Sequence, residues 1–158
     1  MEEIHQQRLR IAREVAQQSR DPSTKVGAII VDATNNSIVS SGFNRFPFGH
    51  DETPELYNNR IYKYANIVHA EVNALNLLPY RPINFLLYTS FHPCVDCVEF
   101  IARRGAAVVY CPRFDPTERP DWEERIKSSR KRAEELGLQI KEIDECLKQE
   151  CGKLSAPV

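Results

Sequence analysis

Residues 66–75 read NIVHAEVNAL, and residues 91–97 read FHPCVDC. In the first run, apolar residues begin to recur at helical spacing at about His69. Two residues apart on a regular helix, His69 and Glu71 would point to nearly opposite sides. They serve one centre only if His69 stands at the helix entry, where the backbone is not yet helical. In the second run, Cys94 and Cys97 are three apart at the start of a helix, so both thiols face one side of its first turn. Pro93 suits that turn, and the positive helix end favours thiolates.

Taken singly, these residues are ambiguous. His69 reads equally as a capping or core histidine, Glu71 as a first-turn acid, and Cys-x-x-Cys as a zinc or redox pair. Their combination is more specific. Two thiolates and a neutral imidazole balance Zn²⁺ and leave one tetrahedral position open, as in catalytic zinc sites. A metal so held acidifies a bound water. Glu71, near the positive end of its own helix, is then a proton carrier rather than a ligand.

Working outward, residues 2–19 (EEIHQQRLRIAREVAQQS) carry an apolar stripe of Ile4, Ile11, Ala12, Val15 and Ala16, which predicts an amphipathic helix. Pro22 ends it, because proline disfavours helix at the preceding residue. KVGAIIVD (25–32) and SIVSSGF (37–43) are β-branched runs joined by ATNNS, a hairpin signal. Residues 44–67 show little periodicity and read as a long loop of functional character.

HAEVNALNLL (69–78) predicts a helix ended by PYRP, FLLYTS (85–90) a strand, and PCVDCVEFIARRG (93–105) a helix stopped by Gly105. AAVVYC (106–111) and LQIKEI (138–143) predict strands around a charged helix at 121–136, and DECLKQEC (144–151) a last helix. Strands alternating with helices after an opening hairpin indicate an α/β sheet whose later neighbours are parallel.

The length of 158 residues suits one domain. A net charge of −1, without a lysine/arginine block, argues against an extended nucleic acid as partner. The charged opening MEEIHQQRLR lacks a signal-peptide core, and no apolar run reaches membrane-spanning length. Five cysteines (94, 97, 111, 146 and 151), with no export signal, point to a reducing cytoplasm and to metal or catalytic use.

H-x-E at 69–71 and P-C-x-x-C at 93–97 match the signature of the zinc nucleobase deaminases. From Arg8 to Pro112 the chain resembles the cytidine/deoxycytidylate deaminase family, most closely its deoxycytidylate branch. SRDPSTKVGAIIVD (19–32) resembles that branch's first-strand segment, and GFNRFPFG (42–49) its G-Y-N-G-x-P-x-G loop.

The resemblance implies a three-layer α/β/α sandwich with a mixed five-stranded sheet. It also implies a single deaminase domain over residues 1–152, with 153–158 a frayed tail, and a homo-oligomer. It implies one catalytic zinc per chain on His69, Cys94 and Cys97, with Glu71 as proton shuttle. Asn44 matches the sugar-binding asparagine, and Ala70 the residue whose N–H holds the base carbonyl. Lys25 stands where relatives often carry a basic residue and is the first candidate for the phosphate, with Arg20, Arg45, Arg60 and Lys63 behind it. His92 stands where relatives offer a carbonyl to the exocyclic amine.

The reaction implied is dCMP + water → dUMP + ammonia, feeding thymidylate synthesis. Arg45 and Phe48 depart from the family's loop, which bears on regulation by dCTP and dTTP. Residues 43–68 hold no cysteine for a second zinc.

Two alternatives stand beside this reading. One is a deaminase of another substrate: dCTP, 5-substituted dCMP, a nucleoside, a free base or tRNA. For tRNA, YANIVHAE (64–71) departs from the D-P-T-A-H-A-E run of the bacterial tRNA enzymes. The other is a non-catalytic zinc module, which would need a fourth ligand such as Cys111.

Overall fold

A computed structural model of the chain describes residues 1–145. Five strands form one sheet: β1 (Gly27–Asp32), β2 (Ser37–Phe43), β3 (Phe85–Thr89), β4 (Val108–Pro112) and β5 (Gln139–Ile143), in the order β2-β1-β3-β4-β5. The β1–β2 hairpin and the β1–β3 pair are antiparallel, whereas β3–β4 and β4–β5 are parallel. The helices are α1 (Glu2–Ala16), α2 (Pro54–Asn58), α3 (Arg60–Asn66), α4 (Ala70–Asn76), α5 (Val95–Arg104) and α6 (Glu123–Leu136).

The period-2 alternation of β1 builds the layers. Ala28 and Ile30 join Leu87 and Val109 beneath Ala74 and Leu75 of α4, Val98 and Ile101 of α5 and Ala133 of α6. Ile29 and Val31 join Tyr88 and Tyr110 on the other face, under Leu9 of α1. The result is the expected α/β/α sandwich with a mixed sheet. Of the predicted α1 stripe, Ala12 and Ala16 are buried and Ile4 is 41% exposed, whereas Leu9, outside that stripe, is buried.

Residues 44–67 differ from the expected loop by carrying α2 and α3. Neither helix has an apolar period to announce it; side-chain caps start both. Thr53 accepts from the N–H of Leu56, and Asn59 from that of Tyr62. Phe46, fully buried, stacks on Tyr57 at 4.2 Å and meets Tyr62 edge-on at 5.3 Å. Paired backbone bonds between Arg45 and Val68 return the chain beside β2 immediately before His69.

Gly42 fixes how closely α4 lies on β2. A Cβ there would stand 2.3 Å from the Ala74 nitrogen and 2.6 Å from the Ala70 oxygen, so only glycine permits the approach. The helix expected at 144–151 and the tail at 153–158 lie outside the described residues, apart from Asp144 and Glu145, which follow β5 without helical structure.

Candidate active site

His69 and Cys94 are the N-caps of α4 and α5, both with extended backbone (φ −71°, ψ 156° and φ −76°, ψ 171°). His69 therefore does stand outside the helix that carries Glu71, which lets both side chains serve one centre. Pro93 lies one residue outside Cys94 rather than in the first turn of α5.

The His69 Nδ1 is 3.2 Å from the Cys97 Sγ and 3.5 Å from the Cys94 Sγ. All three donor atoms lie within 4.8 Å of one another, and they are the group among the described residues that could hold a metal ion. One imidazole nitrogen and two sulfurs at these separations suit a single tetrahedral ion bonded at about 2.0–2.3 Å. The donor set therefore fits zinc. Cys111, fully buried on β4, is not part of the group, so among the described residues no fourth protein ligand closes the site.

The electrostatics agree with a place for a cation. The Cys97 thiol and the His69 ring beside Cys94 bring it down to about 4, although burial opposes this. Cys97 is pushed up by its bond to Cys94 and by burial. Two thiols this close ionise one at a time unless positive charge is added, and a divalent cation supplies it. The hydrogen bond to Cys94 holds His69 above its ordinary value against the effect of burial.

Glu71 is 3% exposed, and burial pushes its carboxyl up. Its Oε1 accepts from the Thr89 hydroxyl at 3.0 Å, and its Oε2 lies 3.7 Å from the Cys97 sulfur. The carboxylate thus stands beside the metal donors, held by the end of β3.

A cavity of about 370 Å³ opens from this cluster. His69, Ala70, Glu71 and Cys94 line it, as do Lys25, Asn44 and His92; Cys97 is buried behind them. The Asn44 amide is already employed: Oδ1 accepts from Val26 N–H at 2.9 Å and Nδ2 donates to the Thr24 carbonyl at 2.8 Å. It shapes the Thr24–Val26 wall and keeps one donor and one acceptor position in reserve. Ala70 is the first residue of α4, where an N–H has no acceptor within the helix.

His92 is 3% exposed. Its Nδ1 donates to the Pro93 carbonyl at 3.0 Å, and its Nε2 has no partner among the described residues. Lys25 donates to the Ser19 carbonyl. Of the secondary phosphate candidates, Lys63 lines the cavity and Arg20, Arg45 and Arg60 do not. Arg45 instead pairs with Glu52 at 3.1 Å and lies over the Phe48 ring at 4.4 Å.

Among the wall residues that the sequence did not point to are Asp21, Arg119 and Trp122. Asp21 is fully buried and pairs with Lys63 at 2.6 Å, across a separation no local pattern reveals. Arg119 and Trp122 come from the β4–α6 connection, where the lone tryptophan of the chain was the available clue.

Metal donors at two neighbouring helix entries, a buried carboxylate beside them and a ligand-sized cavity define the class: a catalytic metal site of the zinc-hydrolase kind. The chain belongs to the cytidine and deoxycytidylate deaminase family, whose zinc-binding region matches residues 2–112.

An uncharacterized deaminase from the luxG 3' region of Aliivibrio fischeri is 34% identical over 123 residues, covering 77% of this chain and 81% of the relative. A probable deoxycytidylate deaminase of Caenorhabditis elegans is 37% identical over 110 residues, covering 67% and 55%. The mouse deoxycytidylate deaminase is 38% identical over 96 residues, covering 57% and 53%. The matches thus span about half the length of the worm and mouse relatives. Among solved structures, the dCMP deaminase of cyanophage S-TIM5 in complex with dCMP and dUMP superposes with a TM-score of 0.66 at 25% identity, covering 89% of this chain and 96% of that one.

Proposed function

We propose that the protein converts dCMP and water into dUMP and ammonia, with His69, Cys94 and Cys97 holding one zinc ion. The observation that carries this reading is a single cavity joining the metal donors and Glu71 to the cations Lys25 and Lys63. The cyanophage relative with dCMP and dUMP bound supports it.

When bound, zinc would polarise a water and bring its pKa toward neutrality. Glu71 receives the proton that water gives up and delivers it to N3 of the cytosine. The water oxygen bonds to C4; as the C4–N bond breaks, Glu71 takes the proton of that new hydroxyl and passes it to the departing amine, so ammonia leaves neutral and C4 keeps a carbonyl. Burial makes the carboxylate a stronger base than an exposed glutamate, which favours accepting the first proton. Thr89 keeps the carboxylate turned toward the donors. In this reading the Ala70 N–H holds the base carbonyl, and Asn44 binds the sugar with its remaining amide valences.

The same reading takes residues 1–152 as one domain, a homo-oligomer acting in the cytoplasm and supplying dUMP for thymidylate synthesis. Side-by-side ammonia-release assays with dCMP, dCTP, cytidine and deoxycytidine test the substrate. Preference for dCMP is expected, and equal or better use of deoxycytidine contradicts it.

A further inference from the structure

The connection between β4 and α6, residues 113–122, falls outside the family-matched region, yet it supplies Arg119 and Trp122 to the cavity wall. It is anchored to the metal-donor loop. The Phe91 ring meets Trp122 edge-on at 5.3 Å and 86°, and Phe91 stands three residues before Cys94. The Arg119 guanidinium carbon lies 5.2 Å from the centre of the Trp122 ring, close enough for a cation–π contact. The ion pair of Arg119 is a surface one, Nε to an Asp121 oxygen at 3.5 Å, with the two side chains 45% and 68% exposed. Such a pair is weak and screened, and yields to a better anion.

The other cations of the wall are more committed. Lys63 neutralises the buried Asp21 at 2.6 Å and also reaches the Ser23 hydroxyl at 3.2 Å. Lys25 donates to a carbonyl, which keeps its charge but fixes its direction. Away from the metal end, the lining therefore sets Lys25, Lys63 and Arg119 against one carboxylate, Asp21. That surplus of positive charge matches a phosphate monoester, which carries close to two negative charges at neutral pH. A guanidinium can present two parallel N–H groups to phosphate while its face rests on an aromatic ring.

We propose that Arg119, steadied on Trp122, is the specificity-determining residue that makes this pocket select a 5′-nucleotide over the nucleoside. Trp122 is a positioning residue that acts through Arg119. The inference rests on the dCMP reading and deepens it.

The test measures kcat/KM for dCMP and for deoxycytidine in zinc-loaded wild type, Arg119→Ala, Arg119→Lys and Trp122→Leu, each with a thermal melt. Arg119→Ala is expected to lower dCMP efficiency roughly ten- to a hundredfold, mainly through KM, and to leave deoxycytidine within about twofold. Arg119→Lys recovers part of the loss, and Trp122→Leu shows a smaller loss of the same selectivity. If Arg119→Ala lowers both substrates together, or lowers neither, Arg119 is not the selector and the dCMP reading is untouched. A wild type with no preference for dCMP over deoxycytidine overturns that reading and this inference with it.

Discussion

The Thr89 hydroxyl donates to Glu71 Oε1 at 3.0 Å, tying the buried carboxylate on α4 to the end of β3. Thr89 is itself fully buried, so this contact sets which way the carboxylate faces. Thr89→Val keeps the shape and removes the donor. A hydrogen bond to a charged group contributes about 1.5–3 kcal/mol, and the variant is expected to lose stability on that scale. Turnover should fall through kcat with KM little changed, while metal content stays at the wild-type level. Steady-state kinetics with metal analysis checks this.

Gly42 admits α4 against β2, and α4 begins immediately after His69. In Gly42→Ala the new Cβ forces backbone apart, because the atoms it meets belong to the Ala70 and Ala74 main chain rather than to side chains. Overpacking of this kind costs about 1–3 kcal/mol. Zinc affinity should fall along with stability, since His69 moves with the helix. Thermal melts with and without a chelator should show wild type gaining more from zinc than the variant.

Metal content separates the cysteines. Cys94→Ser and Cys97→Ser each remove a donor and should lower zinc occupancy and stability together. Cys111→Ser alters a buried thiol outside the donor group and should leave zinc unchanged. Elemental analysis of the purified variants decides it, and loss of zinc on changing Cys111 would reassign the ligands.

Asp21 predicts an acid limb of stability. Burial opposes its ionisation, but the Lys63 ammonium with the donors of Ser23 and Thr24 outweighs it and holds the carboxyl below its ordinary value. A group depressed on folding stabilises the protein above its unfolded pKa, about 3.9, and loses that contribution as pH falls through the folded value. Denaturant unfolding between about pH 6 and 3 should therefore show wild type losing more stability than Asp21→Asn on acidification. Equal losses would remove Asp21 as the cause.

The metal donors were legible because each lies within a short local pattern. His69 is a helix entry readable from where periodicity begins; Cys94 and Cys97 were readable from their spacing, although Cys94 is the N-cap of α5 rather than a residue of its first turn. The strands were legible for the same reason, since alternation and turn residues are local. α2 and α3 were not, because the caps Thr53 and Asn59 and the buried Phe46 hold them, and none of these makes an apolar period. The cavity wall was the least legible part. Asp21 and Lys63, or Phe91 and Trp122, meet only once the sheet is assembled.

In the proposed function, Glu71 moves the protons of a zinc-dependent deamination of dCMP. The most direct test of that role is the rate of ammonia release from dCMP by zinc-loaded Glu71→Gln relative to wild type. The amide nearly preserves the shape but cannot carry a proton, and general acid–base catalysis contributes about 10²–10⁴-fold. Full zinc content with turnover reduced by at least that factor is expected. Ammonia release near the wild-type rate would mean that Glu71 is not the proton carrier.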